Sequence, residues 1–241
     1  TMKKRILCCL LMLCMVITMA PTMAWADGGG EEGTQLVEFN VAYGGVTANA
    51  SGVTGFTAQG TSETLTWDDV NAGKYNIVVT GTTSKTTNRI YVEGEYSLDI
   101  TLKDANINTK NSAIRVFNGG NLTVNLQGEN TLSSTTSNII SVGTTRPANA
   151  GTVTINGKNA TENKLNLELS SDTQTLTECG GFEDCKLYFD NCQVVLNRDF
   201  KPSLFKGGAV YLYGNSVIKG TNYEEGILKI DIGKATADVQ L

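Results

Sequence analysis

Short stretches of the chain alternate apolar with polar residues, as Leu98 to Leu102 and Leu122 to Leu126 do. A period of two residues predicts a β-strand that buries one face and exposes the other. A Gly, Asp or Asn follows each of these stretches within a few residues, and such residues favour turns. The pattern therefore predicts short strands joined by tight turns.

This strand-and-turn unit recurs along the chain. In a register of 24 residues the matched pairs are Ile90 with Ile114, Val92 with Val116, Leu98 with Leu122, Ile100 with Val124, Leu102 with Leu126 and Asn106 with Asn130. A second register of 23 residues matches Leu187 with Val210, Phe189 with Leu212, Val194 with Val217 and Val195 with Ile218. Between them Thr144 to Gly151 resembles a loop inserted between two strands. A repeat of this kind predicts a stack of similar coils.

The repeat also predicts the domain organisation. One unit cannot bury its apolar face alone, whereas stacking buries it, at about 1.5–3 kcal/mol for each inward Leu, Ile or Val. We therefore predict an all-β chain with a parallel β-helix, a single-stranded solenoid, over residues 75–241. Residues 36–74 lack the repeat and are predicted to form an irregular N-terminal cap over the first coil or a small β region. A β-sandwich with regularly spaced strands is the structural alternative.

Two asparagines fall at the same turn of successive units, Asn106 and Asn130. Stacked amides can bond to the next coil, so we expect these two side chains to form an amide ladder. We expect this role to be structural rather than ligand-binding.

The first 26 residues have the three parts of a secretory signal peptide. A basic start at residues 3–5 precedes an apolar run from Ile6 to Met19, and Ala24-Trp25-Ala26 supplies a cleavage site. The run is shorter than the roughly 20 residues of a membrane-spanning helix. We therefore expect a secreted or cell-surface protein without stable membrane insertion after cleavage, which begins with a flexible lead-in at residues 27–35.

The charge of the chain limits its partners. The net charge is −5, from 19 basic and 24 acidic residues, and removing residues 1–26 lowers it to −8 because three basic residues leave with them. No cluster of Lys and Arg remains, so nucleic acid and anionic membrane surfaces are poor partners. Neutral or cation-bridged ligands fit better.

Three cysteines follow the leader, Cys179, Cys185 and Cys192. Their odd number allows at most one internal disulfide. The chain contains no histidine, and the spacing does not suit a zinc site. We favour small apolar core side chains over a disulfide or a metal site.

The segment from Thr80 to Ser134 carries the motifs of a known family. They are Thr86-Thr87-Asn88-x-Ile90-x-Val92, Ile100-Thr101-Leu102-x-Asp104-x-Asn106-Ile107 and Val124-x-Leu126-x-Gly128-x-Asn130-Thr131-Leu132. In these motifs the chain resembles the secreted carbohydrate-binding-domain proteins of anaerobic, largely gut-dwelling bacteria. The resemblance implies a right-handed parallel β-helix, related in shape to pectate lyases, that binds a plant-type polysaccharide such as cellulose or polygalacturonate without catalysis. It also makes calcium a candidate cofactor.

The sequence offers few side chains that are suited to catalysis. The absence of histidine excludes serine–histidine and cysteine–histidine mechanisms. A hydrolase needs two carboxylates about 5–9.5 Å apart, and the outward Asp99 and Glu129 fall at different points around the coil. Arg115 is the best candidate for a lyase base, but its repeat neighbours Tyr91 and Ser141 supply no acids for calcium. We therefore expect no enzymatic activity.

Binding has better candidates. Carbohydrate sites usually offer an aromatic ring beside polar side chains, because sugars have flat apolar faces edged with hydroxyls. Tyr188 and Tyr211 each lie between inward apolar residues, so their rings are expected to point outward on adjacent coils, about 4.8 Å apart. Tyr213 continues this row, and Tyr91 with Arg115 forms a similar pair on an earlier face. The alternative is that the tyrosines pack against neighbouring strands and stabilise the stack.

The leading hypothesis is a secreted, non-catalytic protein that binds a polysaccharide. One alternative is a structural or adhesive bacterial surface protein with a protein or cell-wall partner, and another is a polysaccharide lyase or hydrolase. Asp104, Asp184 and Asp190 lie near turns and are candidate calcium ligands, although no EF-hand or nonapeptide calcium repeat is present.

Overall fold

The computed structural model describes residues 33–143, 151–158, 160–180, 186–199, 204–206, 209–221 and 228–229. The described residues from Thr34 onward belong to one compact unit, and the preceding unit, Thr1–Gly33, contributes only Gly33 to them. The predicted signal peptide and most of the lead-in lie outside the described residues. So do nearly all of the predicted inserted loop, Asp184 and Cys185.

The described part of the chain is nearly all β-structure. Its strands are β1 (Gln35–Asn40), β2 (Val46–Asn49), β3 (Gly52–Phe56), β4 (Ser62–Leu65), β5 (Tyr75–Thr80), β6 (Thr82–Thr83), β7 (Ile90–Glu93), β8 (Ser97–Lys103), β9 (Asn106–Thr109), β10 (Ile114–Phe117), β11 (Asn121–Gln127), β12 (Glu129–Ser134), β13 (Ile140–Gly143), β14 (Thr152–Asn156), β15 (Lys164–Leu169), β16 (Thr177–Gly180), β17 (Lys186–Asp190), β18 (Gln193–Leu196), β19 (Phe205–Lys206), β20 (Ala209–Tyr213), β21 (Val217–Lys219) and β22 (Leu228–Lys229). A short helix, α1 (Trp67–Asn71), lies between β4 and β5.

These strands form three sheets. Sheet I has the spatial order β1-β5-β8-β11-β14-β17-β20, sheet II β6-β9-β12-β15-β18-β21-β22, and sheet III β4-β3-β2-β7-β10-β13-β16-β19. From β5 to β21 the chain visits sheets I, II and III in turn and then returns to sheet I; one such pass is a coil. Neighbouring strands are parallel, apart from the antiparallel pairs β2–β3, β3–β4 and β21–β22. The prediction of an all-β chain with parallel strands is confirmed.

The predicted registers hold in sheets I and III. Leu98, Ile100 and Leu102 of β8 pair with Leu122, Val124 and Leu126 of β11, a shift of 24 residues. The same shift pairs β7 with β10. The shift of 23 residues pairs β17 with β20, where Leu187 faces Val210. Because the alternation exposes every second side chain, these registers align inward residues with inward residues on successive coils.

In sheet II the predicted register is wrong by one residue. Asn106 pairs with Thr131 rather than with Asn130, and Val194 pairs with Ile218 rather than with Val217. In both cases the later coil has one residue more between its paired position in sheet I and its paired position in sheet II. The predicted amide ladder is therefore wrong, since Asn106 is exposed whereas Asn130 is fully buried.

A buried polar residue lies at the start of β12 and just before β15 and β21 in sheet II, and it bonds to the preceding coil. Asn130 Oδ1 accepts a hydrogen bond from the amide of Ala105 at 2.9 Å. Asn163 Oδ1 accepts one from the amide of Gly128 at 2.9 Å, and Ser216 Oγ one from Cys192 at 3.2 Å. A buried amide without a partner costs about 1–3 kcal/mol. These side chains therefore hold the turns of successive coils together.

The turn from sheet I to sheet II also needs left-handed backbone. Each coil from β5 onward places one residue with positive φ in this turn, and these residues are Gly81, Asp104, Gly128, Lys158, Asn191 and Gly214. Two of the glycines make room for an Asp or Asn of the preceding coil, because a Cβ at Gly128 would collide with Asp104 and one at Gly214 with Asn191. Glycine at these positions both relieves backbone strain and admits the neighbouring side chain.

The core lies between the three sheets and is apolar. Its largest fully buried side chains are Phe39, Phe189, Ile90, Leu98, Ile100, Leu102, Ile107, Ile114, Leu122, Leu126, Leu132 and Ile139. Members of this set come from strands of all three sheets. The inward row of each coil therefore packs on the inward row of the next.

Residues 36–74 contribute directly to the sheets. β1 pairs in parallel with β5 in sheet I, and β2 pairs in parallel with β7 in sheet III. The helix α1 was not expected from the sequence, because five residues are too few to show a helical period. Thr66 begins it by accepting a hydrogen bond from the amide of Asp69, and the Trp67 indole stacks on Tyr96 at 4.7 Å. The role of this segment as a cap stays a prediction.

Replacing Gly128 with Ala tests the turn. We expect the free energy of unfolding to fall by about 2–3 kcal/mol, because the left-handed backbone is strained for Ala and because the displaced Asp104 side chain loses its hydrogen bond from the amide of Glu129. Urea unfolding followed by far-UV circular dichroism measures the change. Gly33→Ala is the matched control, since its Cβ would contact nothing within 4 Å. Equal unfolding free energies for the two variants would contradict this account of the turn.

Candidate functional site

Three tyrosines lie together on the outer face of sheet I. Tyr188 lies in β17 between the buried Leu187 and Phe189, so its ring points outward. Tyr211 of β20 pairs directly with Tyr188, and Tyr213 follows two residues later on the same face. The structure thus brings together the three sequence-predicted tyrosines, called here the tyrosine cluster.

The rings of the tyrosine cluster are nearly parallel. The Tyr188 and Tyr211 centroids are 4.7 Å apart with planes at 17°. Tyr213 lies 5.6 Å from Tyr188 and 6.3 Å from Tyr211. All three residues are half-buried. Because the rings stack on one another, a ligand can reach their hydroxyl edges and outer faces, but not the faces that they share.

Polar side chains flank the tyrosine cluster on the same face. Thr154 of β14 pairs with Tyr188, and Asp190 of β17 pairs with Tyr213. Asn191 Nδ2 donates a hydrogen bond to Asp190 Oδ1 at 2.8 Å, which fixes the carboxylate beside the rings. The cluster therefore combines apolar surface with hydrogen-bond donors and acceptors.

Farther along the outer face of sheet I is a groove of about 510 Å³. Its polar and aromatic lining includes Tyr75, Asn76, Ser97, Asp99, Thr101, Asn125 and Lys158, and Val70, Asn71 and Gly73 at the end of α1 and just after it form part of its wall. Asn125 Nδ2 donates to Asp99 Oδ1 at 2.5 Å. Desolvation raises the pKa of the Asp99 carboxyl, although Lys158 and Asn125 act in the opposite direction. The sequence had not predicted this groove.

The second predicted pair lies on the outer face of sheet III. Arg115 pairs with Tyr91 on one side and with Ser141 on the other. The Arg115 Cζ atom lies 5.8 Å from the Tyr91 ring centroid and 4.9 Å from that of Phe117. Arg89, which the sequence had not predicted, places its Cζ 4.9 Å from the same Tyr91 centroid. These residues are on a different sheet from the tyrosine cluster, so the predicted candidates form two separate groups.

The sequence contains a signal for two of the site residues that it had not predicted, but not for the third. Arg89 directly precedes the inward Ile90, so the alternation could have placed it outward beside Tyr91. Asn125 lies between the inward Val124 and Leu126, and the same argument applies. Lys158 lies in a turn outside the regular repeat, with φ of +54°. No period in the sequence indicates its position.

The structure describes two of the three candidate calcium ligands, Asp104 and Asp190. Asp104 Oδ1 accepts a hydrogen bond from the amide of Glu129 at 3.1 Å, which gives it a structural role. Among the described residues, no group of three or more His, Cys, Asp or Glu side chains is arranged to hold a metal ion. Asp99 and Glu129 lie on sheets I and II respectively.

In the described part of the chain, no helix is long and apolar enough to span a membrane.

Comparison with protein-family models, with curated proteins and with solved structures gives no match for this chain. The resemblance drawn from the motifs between Thr80 and Ser134 therefore stays a prediction.

Cys192 is a free thiol that is fully buried between β17 and β18. Burial, and secondarily the negative charge of Asp190, raises the pKa of the thiol to about 12. The thiolate is the reactive form, so the folded chain keeps this cysteine inert at neutral pH. Of the other two cysteines after residue 26, Cys185 and the side chain of Cys179 lie outside the described residues.

Thiol labelling tests the burial of Cys192. At pH 8.5 we expect iodoacetamide to modify Cys192 at least about tenfold more slowly in the folded chain than in urea, measured on its own peptide by mass spectrometry. The unfolded thiol has a pKa of about 8.5, so the stability contributed by this group is complete below that pH and is lost as the pH rises toward 12. Equal labelling rates in the two states would contradict the buried position.

Stacking within the tyrosine cluster can be measured by a double-mutant cycle. For Tyr188→Ala and Tyr211→Ala we expect a coupling of about 0.5–1.5 kcal/mol in the free energy of unfolding, because each ring loses its partner in the other's variant. The control cycle pairs Tyr188→Ala with Tyr43→Ala, since Tyr43 is half-exposed and lies outside the cluster. There the coupling should stay within about 0.5 kcal/mol. A Tyr188–Tyr211 coupling no larger than the control would mean that the rings do not stack in solution.

Proposed function

We propose that this chain is a secreted, right-handed parallel β-helix that binds a polysaccharide without catalysis. The parallel strands and the fixed order of sheets I, II and III support the helical path. Crossover connections between parallel strands of one sheet are right-handed in about 98% of cases, which supports the hand. The leader pattern at residues 1–26 supports secretion.

The observation that carries the proposed binding is the tyrosine cluster with its polar border. A sugar ring can extend the stack of Tyr188, Tyr211 and Tyr213 on an outer face, while Asp190 and Thr154 provide hydrogen-bonding groups for its hydroxyls. A stack used only for stability needs no such border. The chain is acidic, which favours a neutral ligand at this cluster.

The groove supports a ligand longer than one sugar. It lies on the outer face of sheet I, like the tyrosine cluster, and Asp99 of β8 is three strands away from Tyr188 of β17. Three strand spacings correspond to about 14 Å. A polysaccharide that runs along the stack, across the strands, would contact first the rings and then Asn125 and Asp99.

The available side chains support binding without catalysis. The chain has no histidine. The acids considered for hydrolysis, Asp99 and Glu129, lie on different sheets, so they do not face one cleft as a glycosidase pair must. Arg115, the candidate lyase base, stacks against Tyr91 and Phe117. These features favour a binding role.

Glycan binding by single and double variants tests the proposal. We expect the chain to bind a neutral plant-type polysaccharide such as cellulose on an array that also includes the acidic polysaccharide pectin, with and without calcium. Tyr188→Ala combined with Tyr211→Ala should weaken binding by about tenfold or more, because stacking contacts of this kind contribute at least about 1.4 kcal/mol. Tyr43→Ala, an exposed tyrosine outside the cluster, should leave the affinity unchanged. If no glycan binds under either condition, the adhesive alternative is favoured instead.

A further inference from the structure

Two arginines share one aromatic ring on the outer face of sheet III. The guanidinium carbons of Arg89 and Arg115 both lie within about 6 Å of the Tyr91 centroid, the range of cation–π contact. Arg115 also stacks on Phe117. Stacking occupies the flat faces of a guanidinium and leaves its N–H edge free to donate. Both residues are half-exposed, so these donors can meet a ligand.

Neither of the two arginines takes part in the ion pairs of the described residues, such as Lys74 with Asp69 and Arg198 with Asp172. Desolvation, and secondarily the Glu93 carboxylate two residues along the same strand, raises the pKa of the Tyr91 hydroxyl. The pKa of Arg89 is lowered, first by burial and second by the charge of Arg115, so the two groups repel each other. An anion between them would remove this repulsion.

The surroundings suit an oxyanion. Thr47 pairs with Tyr91 on the preceding strand, and Ser141 pairs with Arg115 on the following one. Their positions place two hydroxyl-bearing residues in the same outward row as the ring and the guanidinium. Guanidinium donors match the spacing of carboxylate and sulfate oxygens and bind them with two parallel hydrogen bonds. This positive surface occurs in a chain of net charge −5, which makes non-specific attraction of polyanions weak.

We propose that Arg89, Tyr91 and Arg115 form a binding site for the oxyanion group of an acidic polysaccharide, either a sulfate ester or a uronate carboxylate. The guanidinium edges bind the oxygens, and the Tyr91 ring holds both guanidinium groups in place. The site lies on sheet III and does not depend on the tyrosine cluster of sheet I. A chain with both sites can bind a charged and an uncharged sugar surface at once.

The test compares three probes, dextran sulfate, oligogalacturonate and unmodified dextran, by isothermal titration calorimetry at low and high salt. The chain should bind at least one anionic probe and not dextran, with weaker binding at high salt. Arg89→Ala combined with Arg115→Ala should weaken this binding by about tenfold or more. Arg115→Lys keeps the charge but loses the planar pair of donors, so its loss should be intermediate. Binding of dextran sulfate alone identifies a sulfate site, and binding of oligogalacturonate alone a carboxylate site.

Lys110→Ala is the matched control, because it removes one positive charge from an exposed position elsewhere. It should stay within about twofold of the parent affinity. The proposal fails if neither anionic probe binds, or if Lys110→Ala costs as much as the double arginine variant. Far-UV circular dichroism shows whether each variant is folded. The double variant Arg89→Gln, Arg115→Gln then shows whether the weaker binding comes from the lost charges or from a loss of folding. Tyr188→Ala with Tyr211→Ala should leave dextran sulfate binding unchanged, so the two proposals are tested separately.

Discussion

The fold depends on the register in which each strand lies on the strand of the previous coil. In sheets I and III this register aligns inward apolar residues, so that Leu98 packs under Leu122 and Ile90 under Ile114. A slip of one residue would turn the whole inward row of a strand toward solvent, at about 1.5–3 kcal/mol for each large apolar side chain. The core therefore fixes the position of every outward residue as well. The tyrosine cluster and the arginine pair are both consequences of this constraint.

The turn between sheets I and II resolves a conflict between the core and the backbone. Coils differ in the number of residues in this turn, yet their strands must stay aligned on both sides. A left-handed residue in each coil lets the chain change direction within a few residues. A buried polar side chain such as Asn130 accepts a hydrogen bond from a backbone amide of the preceding coil. This combination lets the later coil place three residues between Gln127 and Thr131, where the earlier coil places two between Lys103 and Asn106, while the Ala105 amide keeps its partner.

The sequence predicted sheets I and III well because their strands alternate over several apolar positions. Strand β9 offers a single large inward apolar residue, Ile107, so its register rests on less information. Matching Asn106 with Asn130 aligned two identical residues with different roles, one exposed on its strand and one buried at the start of its strand. The helix α1 is too short to show a helical period, and the groove beside it depends on contacts between segments far apart in sequence, so neither was predicted. The tyrosine cluster was predicted, whereas the mutual stacking of its rings required coordinates.

Outward rows bring side chains of successive coils to within about 4.8 Å, and this spacing restricts which residues can be neighbours. Aromatic rings stack favourably at that distance, as Tyr188 and Tyr211 do at 4.7 Å. Two like charges at that distance repel by about 1 kcal/mol even in water. On sheet III the residue paired with Arg115 is Tyr91, and Arg89 lies two positions away on the other coil. The Tyr91 ring therefore offers a cation–π contact to both guanidinium groups, which offsets part of the repulsion between two arginines on the same face.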